Sequence, residues 1–233
     1  MNFFTSLVSL SEAKREMKKE IKQEIIRIPP PNFETALFTI RGDTKLVIHK
    51  FSEKARKGIM EKQMLGSRAK KGQKLKPRDF EQEYEDAKYV YNNNGNSWCG
   101  IPAVAFRNAM ISACKIVGFY MTKGKLAIFI EPDGFDTLDN RPLVKITKGK
   151  PHRHDDYGRL PDGTPNLCSR PMWDEGWEAV VRVRYDADMF SRADISSLLM
   201  RAGLQVGIGE GRPDSKKSCG CGWGTFVIKG DDA

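Results

Sequence analysis

The sequence predicts an α+β domain, an antiparallel sheet with two helices on one face, because two periodicities recur along it in a fixed order. Phe33 to Arg41 and Glu178 to Asp186 alternate inward and outward residues with the period of two that a half-buried strand requires. Ile101 to Val117 and Ser191 to Gly203 instead space their apolar residues at three and four, as a helix packed on a sheet does. With the short apolar runs between and after them, the order is strand, helix, strands, strand, helix, strand.

A chain of 233 residues is long enough to bury one large core. The aliphatic residues are spread along it, so a single domain over 33–230 is expected, behind a helical appendage over 1–32. In the appendage, Ser11 to Ile28 alternates Lys and Glu around Met17, Ile21, Ile25 and Ile28, a surface helix ended by Pro29, Pro30 and Pro31. In the first strand Ala36, Phe38 and Ile40 face one way and Leu37, Thr39 and Arg41 the other, before a turn at Gly42 and Asp43. A basic insertion, a thumb or arm, follows at about 45–98. Its segment Phe51 to Leu65 reads as a helix with Ser52 as N-cap, and Gly66 to Arg78 has too little apolar surface to order itself.

The first core helix carries Val104, Ala105, Ala109, Ala113 and Ile116 on one face and Asn108, Ser112 and Lys115 on the other. Leu126 to Ile130 and Leu143 to Ile146 read as strands separated by a turn at Pro132, Asp133 and Gly134. The polar, proline-rich stretch at about 148–175 reads as a long loop. The next strand turns Ala179, Val181, Val183 and Tyr185 inward, leaving Arg182 and Arg184 on a cationic far face. Ser191 and Asp194 form a capping box, Ile195, Leu198, Leu199 and Ala202 make the second helix's stripe, and Gly203 stops it. Leu204 to Ile208, a glycine-rich run from Gly207 to Gly224 and a closing strand, Thr225 to Ile228, complete the chain.

A split βαβ unit repeated once is the ferredoxin-like, or RRM-like, arrangement, whose open sheet face can carry a nucleic-acid strand. This element order, the basic excursion after the first strand and the segment LLMRAGLQVGIGEGRPDSKKSCGCGWGTF (Leu198 to Phe226) resemble the repeat-associated RNA-binding (RAMP) superfamily. Within it, the chain is most similar to the backbone subunit that tiles guide RNA in CRISPR effector complexes, and it is also similar to phage proteins of the same general design. The resemblance implies a protein without catalytic activity that binds single-stranded RNA or DNA and assembles along it as a homo-oligomer or with related subunits. It also implies that the loop after the last helix brings Gly207, Gly209, Gly211, Arg212, Lys216 and Lys217 near phosphates. Glu210 and Asp214 make that loop more acidic than such a role needs.

Charge points the same way. Lys and Arg number 39 against 30 Asp and Glu, a net charge of +9 with a pI near 9.3, which favours a polyanionic partner. Between Lys45 and Arg78, twelve basic residues face two acidic ones, Glu53 and Glu61. Several phosphate contacts add up through counterion release, so Lys50, Lys54, Arg56, Lys57, Arg68, Lys70, Lys71 and Lys74, with Arg182, Arg184 and Arg212, are the candidate backbone contacts. Gly207, Gly209 and Gly211 admit two readings: a nest whose N–H groups meet phosphate, or a sharp bend with Glu210 paired to Arg212. A dinucleotide fingerprint does not fit, since Arg212 stands where its third glycine would be.

Two further classes stay open: a metal-dependent nuclease built on His152, His154, Asp155 and Asp156, and a mimic of a CRISPR subunit that inhibits through protein contacts. For the string PHRHDD a solvated polar loop is the simpler reading. Cys168, Cys219 and Cys221 lack zinc-ligand spacing, and the five cysteines show no disulfide framework, so reduced thiols, no metal and no cofactor are expected. Tyr84, Tyr89, Tyr91, Trp98, Tyr157, Trp173, Trp177 and Trp223 are expected mostly to pack. No apolar run approaches the roughly 18 residues of a membrane span, and Met1 to Leu10 lacks the marks of a leader, so a soluble protein of the bacterial cytoplasm, possible during phage infection, is expected.

Overall fold

The computed structural model describes residues 28–50, 79–159, 165–215 and 220–230. The helices expected at Ser11 to Ile28 and Phe51 to Leu65, and the stretch Gly66 to Arg78, lie outside them, Ile28 apart. The chain divides into a unit Met1–Pro31 and a unit Asn32–Ala233, and everything below concerns the second.

Strand β1 (Phe33–Gly42) runs antiparallel to β10 (Glu178–Asp186) along nearly its whole length, from Phe33 opposite Asp186 to Arg41 opposite Glu178. Its other edge pairs with β11 (Phe226–Ile228). The main sheet continues outward from β10 through β7 (Pro142–Lys148) and β4 (Asn96–Pro102) to β3 (Val90–Asn93), while β5 (Ile128–Glu131) pairs with the far half of β10 and β6 (Gly134–Phe135) with β7. Every pairing is antiparallel. The protein is therefore α+β with a mostly antiparallel sheet.

Because side chains alternate across a strand, Ala36, Phe38, Ile40, Val181, Val183 and Tyr185 all point to one buried face, and the helices cover it. Helix α2 (Ala103–Ile116) buries Phe106, Ala109, Met110, Ala113 and Cys114, the spacing of one helical face, and begins directly after Pro102. Helix α4 (Arg192–Arg201) buries Ile195, Leu198 and Leu199 beside it. Its capping box is formed as the sequence reading has it: the Asp194 N–H donates to Ser191 Oγ, and the Ser191 N–H donates to the Asp194 carboxylate at 2.9 Å. Ser191→Ala is expected to cost about 1 kcal/mol, read as a lower urea midpoint at unchanged slope.

Four expectations are corrected. Residues 148–175 do not form a loop: β8 (His152–Arg159) and β9 (Pro165–Trp173) make a long hairpin, joined by β2 (Leu46–Val47) into a second, three-stranded sheet. Polar residues and prolines suit β8, most of whose described side chains are exposed, while β9 buries Ser169, Met172 and Trp173. Leu126 and Ala127 end a short helix, α3 (Met121–Ala127), where Gly124 lies against Cys114 and Ile111, and the strand begins only at Ile128. The stretch after Arg78 is not a basic arm, since α1 (Phe80–Asp86), β3 and β4 are built into the domain. Finally, Gly203 does not stop the second helix, which widens into a π-helical turn over Ala202–Val206. Gly203 is needed for another reason: a Cβ there would stand 2.1 Å from the Phe226 carbonyl oxygen.

Candidate functional site

The described residues that flank 51–78, Lys50 and Asp79, are both held at α1 or just after it. The Lys50 N–H donates to the Ala87 carbonyl at 3.0 Å, and the Asp79 carboxylate caps α1 by accepting from the N–H groups of Glu81 and Gln82. The Lys50 side chain turns inward. Its ammonium meets the buried Asp136 carboxylate at 2.5 Å, and that carboxylate also accepts from the N–H groups of Val90, Leu138 and Asp139. Burial alone would raise the Asp136 pKa, but Lys50 and these N–H groups outweigh it and hold the carboxyl below its ordinary range. Lys50 is thus a structural anchor, not the surface contact the charge pattern suggests.

Ile48 and His49, just before the segment, and Tyr89, just after α1, line a cavity of about 270 Å³. Pro102 at the end of β4 and Val104, Ala105, Asn108, Ala109 and Ser112 of α2 form one wall, and Val206 to Glu210 with Arg212 and Asp214 form another. Arg141 also lines it and donates to the Tyr89 hydroxyl at 3.1 Å. Partial burial of the imidazole and the charge of Arg170 lower the His49 pKa from its ordinary value, with Glu210 and Glu83 offsetting part of this.

The glycine loop is shaped by close backbone packing. The Gly207 N–H donates to the Ala202 carbonyl, the Ile208 N–H to Gly224 and the Glu210 N–H to Val47, so these three amides are turned to the chain itself. A Cβ on Gly209 would stand 2.4 Å from the Val47 oxygen, and Gly209 has φ +76°. This is the bend of the two readings, with one amendment. Arg212 donates to the Gly209 carbonyl at 2.9 Å, while Glu210 lies 3.9 Å from Arg170.

Across the main sheet, the face opposite the helices carries Arg184, whose guanidinium lies over the rings of Phe33 and Phe129 at 5.2 Å each. Leu37, 56% exposed, stands on the same face. Arg182 is taken up by the Asp133 carboxylate and the Pro132 carbonyl. Lys54, Arg56, Lys57, Arg68, Lys70, Lys71, Lys74, Lys216 and Lys217 lie outside the described residues.

The His152 to Asp156 string lies on β8, where each group has a local partner. His152 Nδ1 is 3.6 Å from Asp174, the His154 ring meets the edge of Trp223, Asp155 accepts from Ser169 Oγ at 2.5 Å and Asp156 accepts from Arg170 at 3.0 Å. Alternation along the strand puts Asp155 on the opposite face from His154 and Asp156. Among the described residues no group of three His, Cys, Asp or Glu side chains is placed to hold a metal ion.

No protein-family model matches this chain, and no curated protein matches it. Among solved structures it is similar to Cmr6 from Pyrococcus furiosus, at 10% identity and a TM-score of 0.39 over 85% of this chain and 99% of that one. What the chain does is read from its own residues. Sequence reasoning missed His49 and Arg141, which are over ninety residues apart and line one cavity only through the fold, and Asp136, the partner of Lys50; Tyr89 it read only as one of the aromatics expected mostly to pack.

Proposed function

We propose that this protein is a non-catalytic binder of single-stranded nucleic acid whose copies line up along the strand, on a ferredoxin-like core formed by the path β11-β1-β10-β5. The observation that carries the reading is where the charge sits. Residues 51–78 hold ten Lys and Arg against two Asp and Glu, leaving 29 against 28 in the other 205 residues. Nearly all of the net +9 therefore belongs to one segment, which follows closely in sequence on Ile48 and His49 of the cavity lining. An even scatter of charge would imply only a basic surface; this concentration fits phosphates held in series. Arg184 with Phe33 and Phe129 adds a cationic and aromatic patch of the kind that accepts unpaired bases.

The test is fluorescence anisotropy with labelled single-stranded RNA, single-stranded DNA and duplex over a range of salt, with light scattering on the same samples. Affinity is expected to fall with a log–log slope of about −0.7 for each phosphate neutralised, and particle size to grow on long strands. Replacing residues 51–78 by a short Gly-Ser linker is expected to remove most of that slope. Absence of strand binding at low salt, or binding unchanged by the replacement, would overturn the reading.

A further inference from the structure

The cavity beside the glycine loop has the size and lining of a site for one small, flat, partly polar group. At about 270 Å³ it lies near the lower end of the roughly 300–1,000 Å³ typical of small-molecule sites, enough for one nucleoside-sized group and not for two. Its apolar lining comes from opposing elements, Val104, Ala105 and Ala109 of α2 on one side and Val206 and Ile208 of the loop on the other. Its polar lining is of both kinds. Arg141 and Arg212 bring donors, Glu210 and Asp214 bring acceptors, and Asn108 brings both.

That mixture discriminates between ligands. A site for a bare phosphate has no use for two carboxylates, which repel an anion. A nucleobase has aromatic faces for the apolar walls, ring and exocyclic N–H groups for a carboxylate to accept from, and a phosphate attached for an arginine to hold. We infer that the cavity receives one nucleobase of the bound strand, turned out of the stack, with Glu210 accepting from its N–H edge and Arg212 or Arg141 on the adjoining phosphate. The inference rests on the strand-binding reading and adds its base-reading element.

The loop is shaped in advance for this. Gly224 would bring a Cβ within 1.8 Å of the Ile208 oxygen and Gly211 within 2.8 Å of the Trp223 ring, so that side of the site is set by backbone contacts before any strand arrives. The placement also suits a strand held by the cationic segment, because Ile48 and His49, which line the cavity, lead directly into Lys50 and residue 51.

The test compares the full-length protein's affinity for a single-stranded oligonucleotide with its affinity for the same backbone carrying abasic sites. The wild type is expected to bind the abasic strand about tenfold more weakly. Ala105→Leu, which keeps a good helix former on α2 while filling the cavity, is expected to remove most of the difference between the parent and abasic strands by weakening the parent, without changing the affinity for the abasic one. Glu210→Gln is expected to alter the ranking of the four homopolymers. Thermal unfolding shows whether Ala105→Leu is folded, and Ser112→Leu replaces it if not. Equal binding of parent and abasic strands by the wild type, or a base preference that survives the filled cavity, would sink the inference while leaving strand binding in place. No binding of either strand at low salt would remove both.

Discussion

Asp136→Ala is expected to destabilise the domain by about 3–5 kcal/mol, because it leaves the Lys50 ammonium buried without its counter-charge. The Lys50 side chain is 5% exposed and the Asp136 side chain fully buried, so solvent cannot take over either group. Three backbone N–H groups, of Val90, Leu138 and Asp139, lose their acceptor in the same change. The pair also sets a pH dependence whose sign follows from the lowered Asp136 pKa. A carboxyl whose folded pKa lies below its unfolded value of about 3.9 contributes its full stability above that value and loses it as pH falls toward the folded one. Urea titrations from pH 7 down to pH 3 are expected to show the wild type losing stability on acidification more steeply than the variant. A loss under 1 kcal/mol at pH 7, with parallel acid profiles, would show that water reaches the pair. The result bears on function, since this pair fixes the root of the cationic segment.

Phe226→Ala is expected to cost a further 3–5 kcal/mol in a separate variant, for reasons of packing alone. The Phe226 ring is fully buried, with Phe106 edge-on at 5.8 Å and Trp177 at 6.3 Å. Strand β11 has three residues, so this one ring carries much of what holds it to β1. Relaxation into the void is limited where Gly203 already approaches the Phe226 backbone. Thermal unfolding checks the magnitude, and hydrogen exchange checks the mechanism: the amides of Thr39 and Arg41, on the β11 side of β1, are expected to lose protection before those of Val181 and Val183. Uniform loss of protection across the sheet would mean that β11 contributes no more than its share.

Where local pattern and burial coincide, the sequence reading and the structure agree. Strand β10 occupies the residues whose alternation marked it, and the capping box at Ser191 and Asp194 is formed. The misreadings share a cause. The hairpin of β8 and β9 has no clear apolar alternation, since β8 is polar and largely exposed, and local polarity cannot distinguish an exposed strand from a loop. Gly203, in the π-helical turn after Arg201, is packed against Phe226, a contact between residues over twenty positions apart. At the site, the cationic segment was visible as composition. The inward turn of Lys50 was not, because its partner is 86 residues away. Composition counts charges but not which of them the fold consumes.

The place of β1 in the sheet has a consequence for how the chain is made. Its neighbours β10 and β11 are both distant in sequence, the nearest register pair being Arg41 and Glu178, 137 residues apart. At a synthesis rate of about 5–20 residues per second, β1 leaves the ribosome roughly 7–30 s before its first partner exists. Throughout that interval a ten-residue strand with one apolar face has two open edges, the condition that invites pairing with a neighbouring nascent chain. A central strand made first and completed last also gives a high contact order, and so a slow fold for a domain of this size. A partner that shields β1 during translation would govern the yield of soluble protein without changing its final stability.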